Sequence, residues 1–283
     1  MMRNSIDIES QSGRAMAEGA GHIGCADNVE VVDETAFLSL LQSKRRARAI
    51  ERGDAHGVIL AGGRSSRMGA DKALLPLGGR PLIELTIDIL LNAGLPISIS
   101  GSRIDLGILA PILADMGPAQ GPLTGICSSL RALPAQWVVL LTVDMPLVPS
   151  VLVQLMLEAA IYGNAAVVLP SFADRLHPFP CVLHHDLLPG LAAEHAAGRN
   201  GCLRAFSAAA IKTAKRVKAV PLESLVASGF LRHQQGFPVD AWLLNVNSPE
   251  DLLRAERWIA TGFSSRVLSE GNLIEAGGAQ CLP

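Results

Sequence analysis

The chain is poor in aromatic side chains, with one Tyr, three Trp and seven Phe among its 283 residues. With so few large rings, Ala, Leu, Val and Gly must do most of the filling. That favours layered helices and strands in close contact over an aromatic-rich sandwich. Apolar residues make up 49% of the chain, enough to bury a sizeable core. The length suits one large domain or two small ones. Cysteine pairing is also missing. Cys25, Cys127, Cys181, Cys202 and Cys281 are odd in number and scattered, with no C-x-x-C. This argues against a disulfide framework or a cysteine zinc site, and for reduced thiols in the cytoplasm. No apolar leader opens the chain and no run of 18 uncharged apolar residues follows, so neither secretion nor a membrane span is expected. The net charge of −2 exerts no global pull on nucleic acid or an anionic membrane. Any polyanion has to be met by a local site.

What is present divides unevenly. Residues 1–55 read as an N-terminal extension, largely disordered where Gly, Ala, Ser and acids mix without period. A helix over 33–52 is compatible with acids early and bases late. Its run Lys44-Arg45-Arg46-Ala47-Arg48 suits a solvated face or an acidic partner. Residues 56–262 form the expected main folded domain, and 263–283 a flexible tail. Within the domain, strands are predicted at 57–61, 96–100, 108–114, 137–143, 165–170, 179–184, 216–221 and 241–246. Helices are predicted at 80–93, 122–133, 149–162, 184–197 and 248–261. The near-continuous apolar runs VVLLTV and AAVVLP suit strands covered on both faces. The alternation implies an α/β fold with a mainly parallel sheet flanked by helices in three layers. Ligands of such sheets collect beyond the carboxyl ends of the strands.

The chemistry concentrates at those ends. In residues 57–75, GVILAGGRSSRMGADKALL, an apolar strand breaks into a loop. Gly62 and Gly63 let backbone amides approach phosphate oxygens. Arg67 can fork onto phosphate and Lys72 adds a mobile charge, while Gly69 keeps the loop lean. No G-K-[ST] and no G-x-G-x-x-G accompanies them, so neither a P-loop nor a dinucleotide fingerprint is present. A Gly-rich turn with basic side chains is the plain structural alternative. In LLTVDMPLVP, an apolar strand delivers Asp144, either as a ligand for Mg²⁺ or as a cap for the next turn. In DMGPAQGPLTGI, Asp115 ends a strand while Gly121 and Gly125 bracket a helix start. In WLLNVNSPEDL, Asn245 and Asn247 share one face if the segment is extended. They can hold a polar ligand, or they can simply end a strand ahead of a Ser248 cap. His177, before two prolines, is a lone histidine of the structural kind.

Taken in order, these motifs resemble the molybdenum cofactor guanylyltransferases, the MobA-like nucleotidyltransferases. The match runs from LAGGRSSRMGADKALLPLGGRPL through GPLTGI, VDMPL and the His-Pro of RLHPFP to NVNSPEDL, over residues 57–260. The resemblance implies a Rossmann-like nucleotidyltransferase fold. It also implies transfer of GMP from GTP to the terminal phosphate of molybdopterin, with Mg²⁺, giving molybdopterin guanine dinucleotide and pyrophosphate. It implies that Leu60, Ala61, Gly62, Gly63 and Lys72 bind GTP, with Arg67 on its phosphates. Asp115 would contact the nucleotide, and Asp144 both nucleotide and Mg²⁺. Gly121, Gly125, Asn245 and Asn247 would line the site, the asparagines toward pterin or metal. Arg67, Lys72 and Asp144 carry the catalysis in this reading. A molybdenum insertase or apo-molybdoenzyme is the implied protein partner; nucleic acid and membrane are not. The chain departs from the family where Ser100-Gly101-Ser102 stands in place of an asparagine. Rival readings are a cytidylyltransferase of the same fold, which typically carries L-A-A-G at the first loop, another NTP transferase with a looser version of that loop, and a non-catalytic carrier of GTP or molybdopterin.

Overall fold

The computed structural model describes residues 21–22, 29–31, 54–62, 71–117 and 120–271. The predicted helix over 33–52 and the loop residues Gly63, Arg67 and Gly69 lie outside them. The strands in chain order are β1 (Gly21–His22), β2 (Val29–Val31), β3 (Ala55–Leu60), β4 (Pro76–Leu77), β5 (Arg80–Pro81), β6 (Ile97–Ser100) and β7 (Ile112–Leu113). They continue with β8 (Trp137–Thr142), β9 (Ala165–Phe172), β10 (Arg175–Leu176), β11 (Cys181–His184) and β12 (Arg216–Pro221). The helices are α1 (Leu82–Asn92), α2 (Pro122–Ala132), α3 (Ser150–Gly163), α4 (Leu188–Ala196), α5 (Cys202–Ile211), α6 (Leu222–Ala227), α7 (Val239–Trp242) and α8 (Pro249–Gly271).

One sheet runs β1-β10-β9-β11-β8-β3-β6-β7, with β12 beside β9 and β2 beside β12. β3 pairs in parallel with both β6 and β8, in a register that sets Leu60 opposite Ser100 and Thr142. β11 alone reverses direction among the central strands. The mainly parallel sheet expected from the sequence is therefore present, with an antiparallel insertion. Strand alternation explains the layers. Ile59, Val139 and Leu141 face one way, into a core shared with helix residues such as Ile83 of α1 and Leu152 of α3. Val58, Leu60, Val138 and Leu140 face the other way, toward Leu123 of α2, Leu191 of α4 and Phe206 of α5. The central strands are thus covered on both sides, which is why they read as unbroken apolar runs.

Several elements depart from the sequence reading. The strand predicted at 241–246 is instead the short helix α7 followed by a loop. Pro238 starts this helix, Asp240 lies in its first turn, and the buried Trp242 donates its indole N–H to the Phe237 carbonyl at 2.8 Å. The strand predicted at 108–114 shrinks to β7, since a 3-10 turn occupies Ile104–Ile108 and Pro111 lacks an amide hydrogen. Helices α5 and α6 were not anticipated. The extension predicted to be largely disordered supplies two short strands, with β2 joining the β12 edge and β1 joining β10. An open edge offers backbone partners to any nearby extended segment, and Glu30 adds an ion pair to Arg216 at 2.8 Å. Helix α8 runs past the predicted stop at 261 to Gly271. Its start is as foreseen: the Asp251 amide donates to Ser248 Oγ, and the Asp251 carboxylate accepts from the Ser248 amide, a reciprocal cap.

Candidate active site

The parallel register brings the ends of β3, β6, β7 and β8 to one edge. The loop leaving β3 is stitched there on both sides. The Ala61 amide donates to the Ser100 carbonyl at 3.1 Å, and the Val143 amide to the Leu60 carbonyl at 3.2 Å. Gly62 follows with no side chain to fill the space above. A methyl built on it would meet an Asp115 carboxylate oxygen at 3.6 Å, an ordinary contact. Gly101, at φ +142°, brings its own backbone so close that a Cβ there would stand 3.3 Å from the Gly62 nitrogen. This close approach needs glycine on conformational grounds as well.

Asp115 and Gly125 form the second wall. Ser100 donates its hydroxyl to Asp115 Oδ1 at 3.4 Å. A Cβ on Gly125 would collide with that hydroxyl at 2.7 Å and press Leu60 at 3.3 Å. Gly121 is the N-cap of α2 with φ +94°, followed by Pro122. Its left-handed backbone turns the chain into the helix, whose amino end faces the same edge.

The third group is charged. Lys72 begins a 3-10 turn over Lys72–Leu74 that Asp71 caps, accepting the Ala73 amide at 3.1 Å. Its ammonium donates to Asp144 Oδ2 at 2.8 Å and to Asn247 Oδ1. Lys72 and Asp144 are mostly shielded, with side chains 17% and 18% exposed, so their pairing is felt more strongly than a surface pair. The Val246 amide donates to the Asp144 carbonyl at 2.8 Å and ties the asparagine loop to the strand end. Val246 is buried between exposed Asn245 and Asn247. Both asparagines therefore point outward, as an extended segment would set them, although the backbone is a loop.

Two polar atoms here are buried without a hydrogen-bond partner: Asp144 Oδ1 and Thr142 Oγ1. A buried, unpaired carboxylate oxygen is costly unless something binds it. Among the described residues no cluster of three or more His, Cys, Asp or Glu could hold a metal. An ion at this position would rest on one carboxylate and on substrate oxygens, the arrangement that Mg²⁺ accepts. His177 lies in the loop between β10 and β11. Its amide donates to the Pro170 carbonyl at 3.0 Å, burial pushes its pKa down, and its Nε2 has no partner.

The structure thus brings together Leu60, Ala61, Gly62, Lys72, Asp115, Gly121, Gly125, Asp144 and Asn247 at one edge. The sequence reading gave no role to Asp71, Ser100 or Arg103. Arg103 donates Nε and Nη2 to Asp105 at 2.8 and 2.5 Å, and Nη1 to Asp71. The only sequence signal for it was an arginine two residues past a glycine at the end of a strand. No helix among the described residues is long and apolar enough to cross a membrane.

A three-layer sheet whose strand ends present lean glycines, a lysine and a carboxylate is the architecture of the Rossmann-like nucleotidyltransferases. Solved structures share this fold. Molybdopterin-guanine dinucleotide biosynthesis protein A of Archaeoglobus fulgidus gives a TM-score of 0.59 at 19% identity, over 73% of this chain and 99% of that one. CMP:2-keto-3-deoxy-manno-octonic acid synthetase complexed with CTP gives 0.55 at 13% identity, over 74% and 99%. The family model of the MobA-like NTP transferase domain matches residues 57–214. A molybdenum cofactor guanylyltransferase of Cereibacter sphaeroides is 35% identical over 216 residues, which cover 71% of this chain and 94% of the relative. The chain belongs to the MobA-like NTP transferase family.

Proposed function

We propose that the chain is a molybdenum cofactor guanylyltransferase that moves GMP from GTP to the terminal phosphate of molybdopterin. A phosphate oxygen of molybdopterin attacks the α-phosphorus of GTP, forming a new P–O bond. The bond from that phosphorus to the β-phosphate oxygen breaks, and pyrophosphate leaves with its electron pair. The nucleophile is already anionic at neutral pH, so no general base is required. Positioning and charge carry the reaction. The observation behind this reading is the Lys72–Asp144–Asn247 contact beside Gly62 and Asp115 on one strand edge.

Roles follow from the chemistry of each group. Leu60 and Ala61 anchor the loop that carries the Gly62 amide to the nucleotide without side-chain obstruction, and Asp115 can accept hydrogen bonds from its polar groups. Lys72 and Arg67 neutralise the phosphates, and Gly63 leaves the backbone amides room to approach them. Asn245 and Asn247 border the acceptor side. Mg²⁺ fits the unpaired Asp144 Oδ1 and, when bound, offsets charge on the reacting phosphates. Gly62 leaves space that an alanine would fill, in keeping with a purine. The same reading gives a cytoplasmic protein, in keeping with free thiols at Cys127, Cys181 and Cys202. It also gives contact with a molybdenum insertase or apo-molybdoenzyme, testable by crosslinking and co-purification.

Pyrophosphate release with Mg²⁺ and molybdopterin, compared for GTP, CTP and ATP, tests the function. Release with GTP alone is the expected result; release with CTP alone would change the product assigned. Asp144→Ala should lower kcat by about a thousandfold, roughly 4 kcal/mol of transition-state stabilisation. Wild-type turnover in that variant would sink the metal assignment.

A further inference from the structure

Arg103 lies outside every motif used above, and its partners explain why it matters. We propose that Arg103 is a positioning residue that sets Lys72 for the triphosphate by holding Asp71; the kinetic part of this rests on the nucleotidyltransferase reading. Asp71 has two carboxylate oxygens with separate tasks. Oδ1 accepts the Ala73 amide at 3.1 Å and thereby winds the 3-10 turn that carries Lys72. Oδ2 accepts from Arg103 Nη1. Arg103 in turn is braced by the Asp105 carboxylate through Nε and Nη2. The result is a strut from the segment after β6 to the residue immediately before Lys72.

The geometry separates this role from direct phosphate binding. Three guanidinium nitrogens of Arg103 already face two carboxylates, which hold its pKa above the usual arginine value, Asp105 most and Asp71 next. The planar fork that makes arginine good at phosphate is committed elsewhere. Ala73 is buried at 2% exposure, so the turn is fixed at its core side while Asp71 holds its amino end. Lys72 then projects to Asp144 and Asn247. Loss of the strut should let the turn wander and spread the ammonium over several positions. A ligand would then have to order it again on binding.

The test uses full-length Arg103→Gln, Asp71→Asn and the double variant. Asp71→Asn keeps an oxygen for the Ala73 amide while removing the charge that Arg103 holds. The first readout is independent of catalysis: pulse acetylation of Lys72 without nucleotide, followed by mass spectrometry. Labelling should rise about threefold or more in each single variant. The second is kinetic: KM for GTP should rise about fivefold, KM for molybdopterin should hold, and the double variant should be no worse than the poorer single. Unchanged Lys72 labelling would overturn the proposal. So would a GTP defect in Arg103→Gln that Asp71→Asn fails to reproduce, since Arg103 would then be a phosphate ligand. If the wild-type protein turned over no nucleotide, the functional reading would fail, and the labelling result would still decide the strut.

Discussion

Gly125→Ala is a substitution whose outcome follows directly from the packing of the site's second wall. In an ordinary helix, alanine would gain up to about 1 kcal/mol over glycine. Here the new methyl would lie 2.7 Å from Ser100 Oγ, 3.3 Å from Leu60 Cδ2 and 3.5 Å from Asp115 Oδ1. Overpacking of a tight core costs about 1–3 kcal/mol, so the net effect should be a loss of about 0–2 kcal/mol. For a domain of this size that lowers Tm by a few degrees. The Ser100 hydroxyl would have to turn away from Asp115, so the GTP KM should rise as well. Removing the obstruction reverses the sign. In a Ser100→Ala background the nearest atom becomes the flexible end of Leu60, and Gly125→Ala should then stabilise by up to about 1 kcal/mol. Urea denaturation of the four proteins in this cycle measures both values. Stabilisation by Gly125→Ala alone, or no gain in the Ser100→Ala background, would refute the reasoning.

Two further outcomes follow from the same geometry. Gly62→Ala should leave stability within about 0.5 kcal/mol, because its methyl would make only an ordinary contact at 3.6 Å with Asp115. It should cut the GTP over CTP ratio of kcat/KM about tenfold, worth about 1.4 kcal/mol, in a competition assay; an unchanged ratio would show that the base does not lie over Gly62. Acid sensitivity should come from histidines held neutral. Burial lowers the pKa of His233 to about 4, and His56, His177 and His184 are also lowered, with burial first among the causes. The unfolded chain binds these protons first, so stability should fall as pH drops from about 6.5 toward 4. His233→Phe, which keeps a ring against Phe237, should flatten that slope in pH-dependent denaturation, and an unaltered slope would assign the protons elsewhere.

The sequence made the layered fold legible because strands buried on both faces must be apolar throughout, as Val138, Val139, Leu140 and Leu141 are. Motif order likewise marked Lys72, Asp115 and Asp144, which the structure places at one strand edge. The fate of residues 241–246 was hidden for a physical reason. A short apolar run carries no period that separates strand from helix, and only Pro238 with the seat for Trp242 chose the helix. Short pairings at an edge, such as β2 on β12, depend on a partner 186 positions away in Glu30–Arg216 and leave almost no local trace. Sequence alone determined which charged and polar groups the motifs of this protein carry. Tertiary structure decided that Ser100 abuts Gly125, that Arg103 holds Asp71, and that Asp144 keeps one oxygen unpaired, because each relation joins segments whose spacing is set by the sheet register and not by the chain.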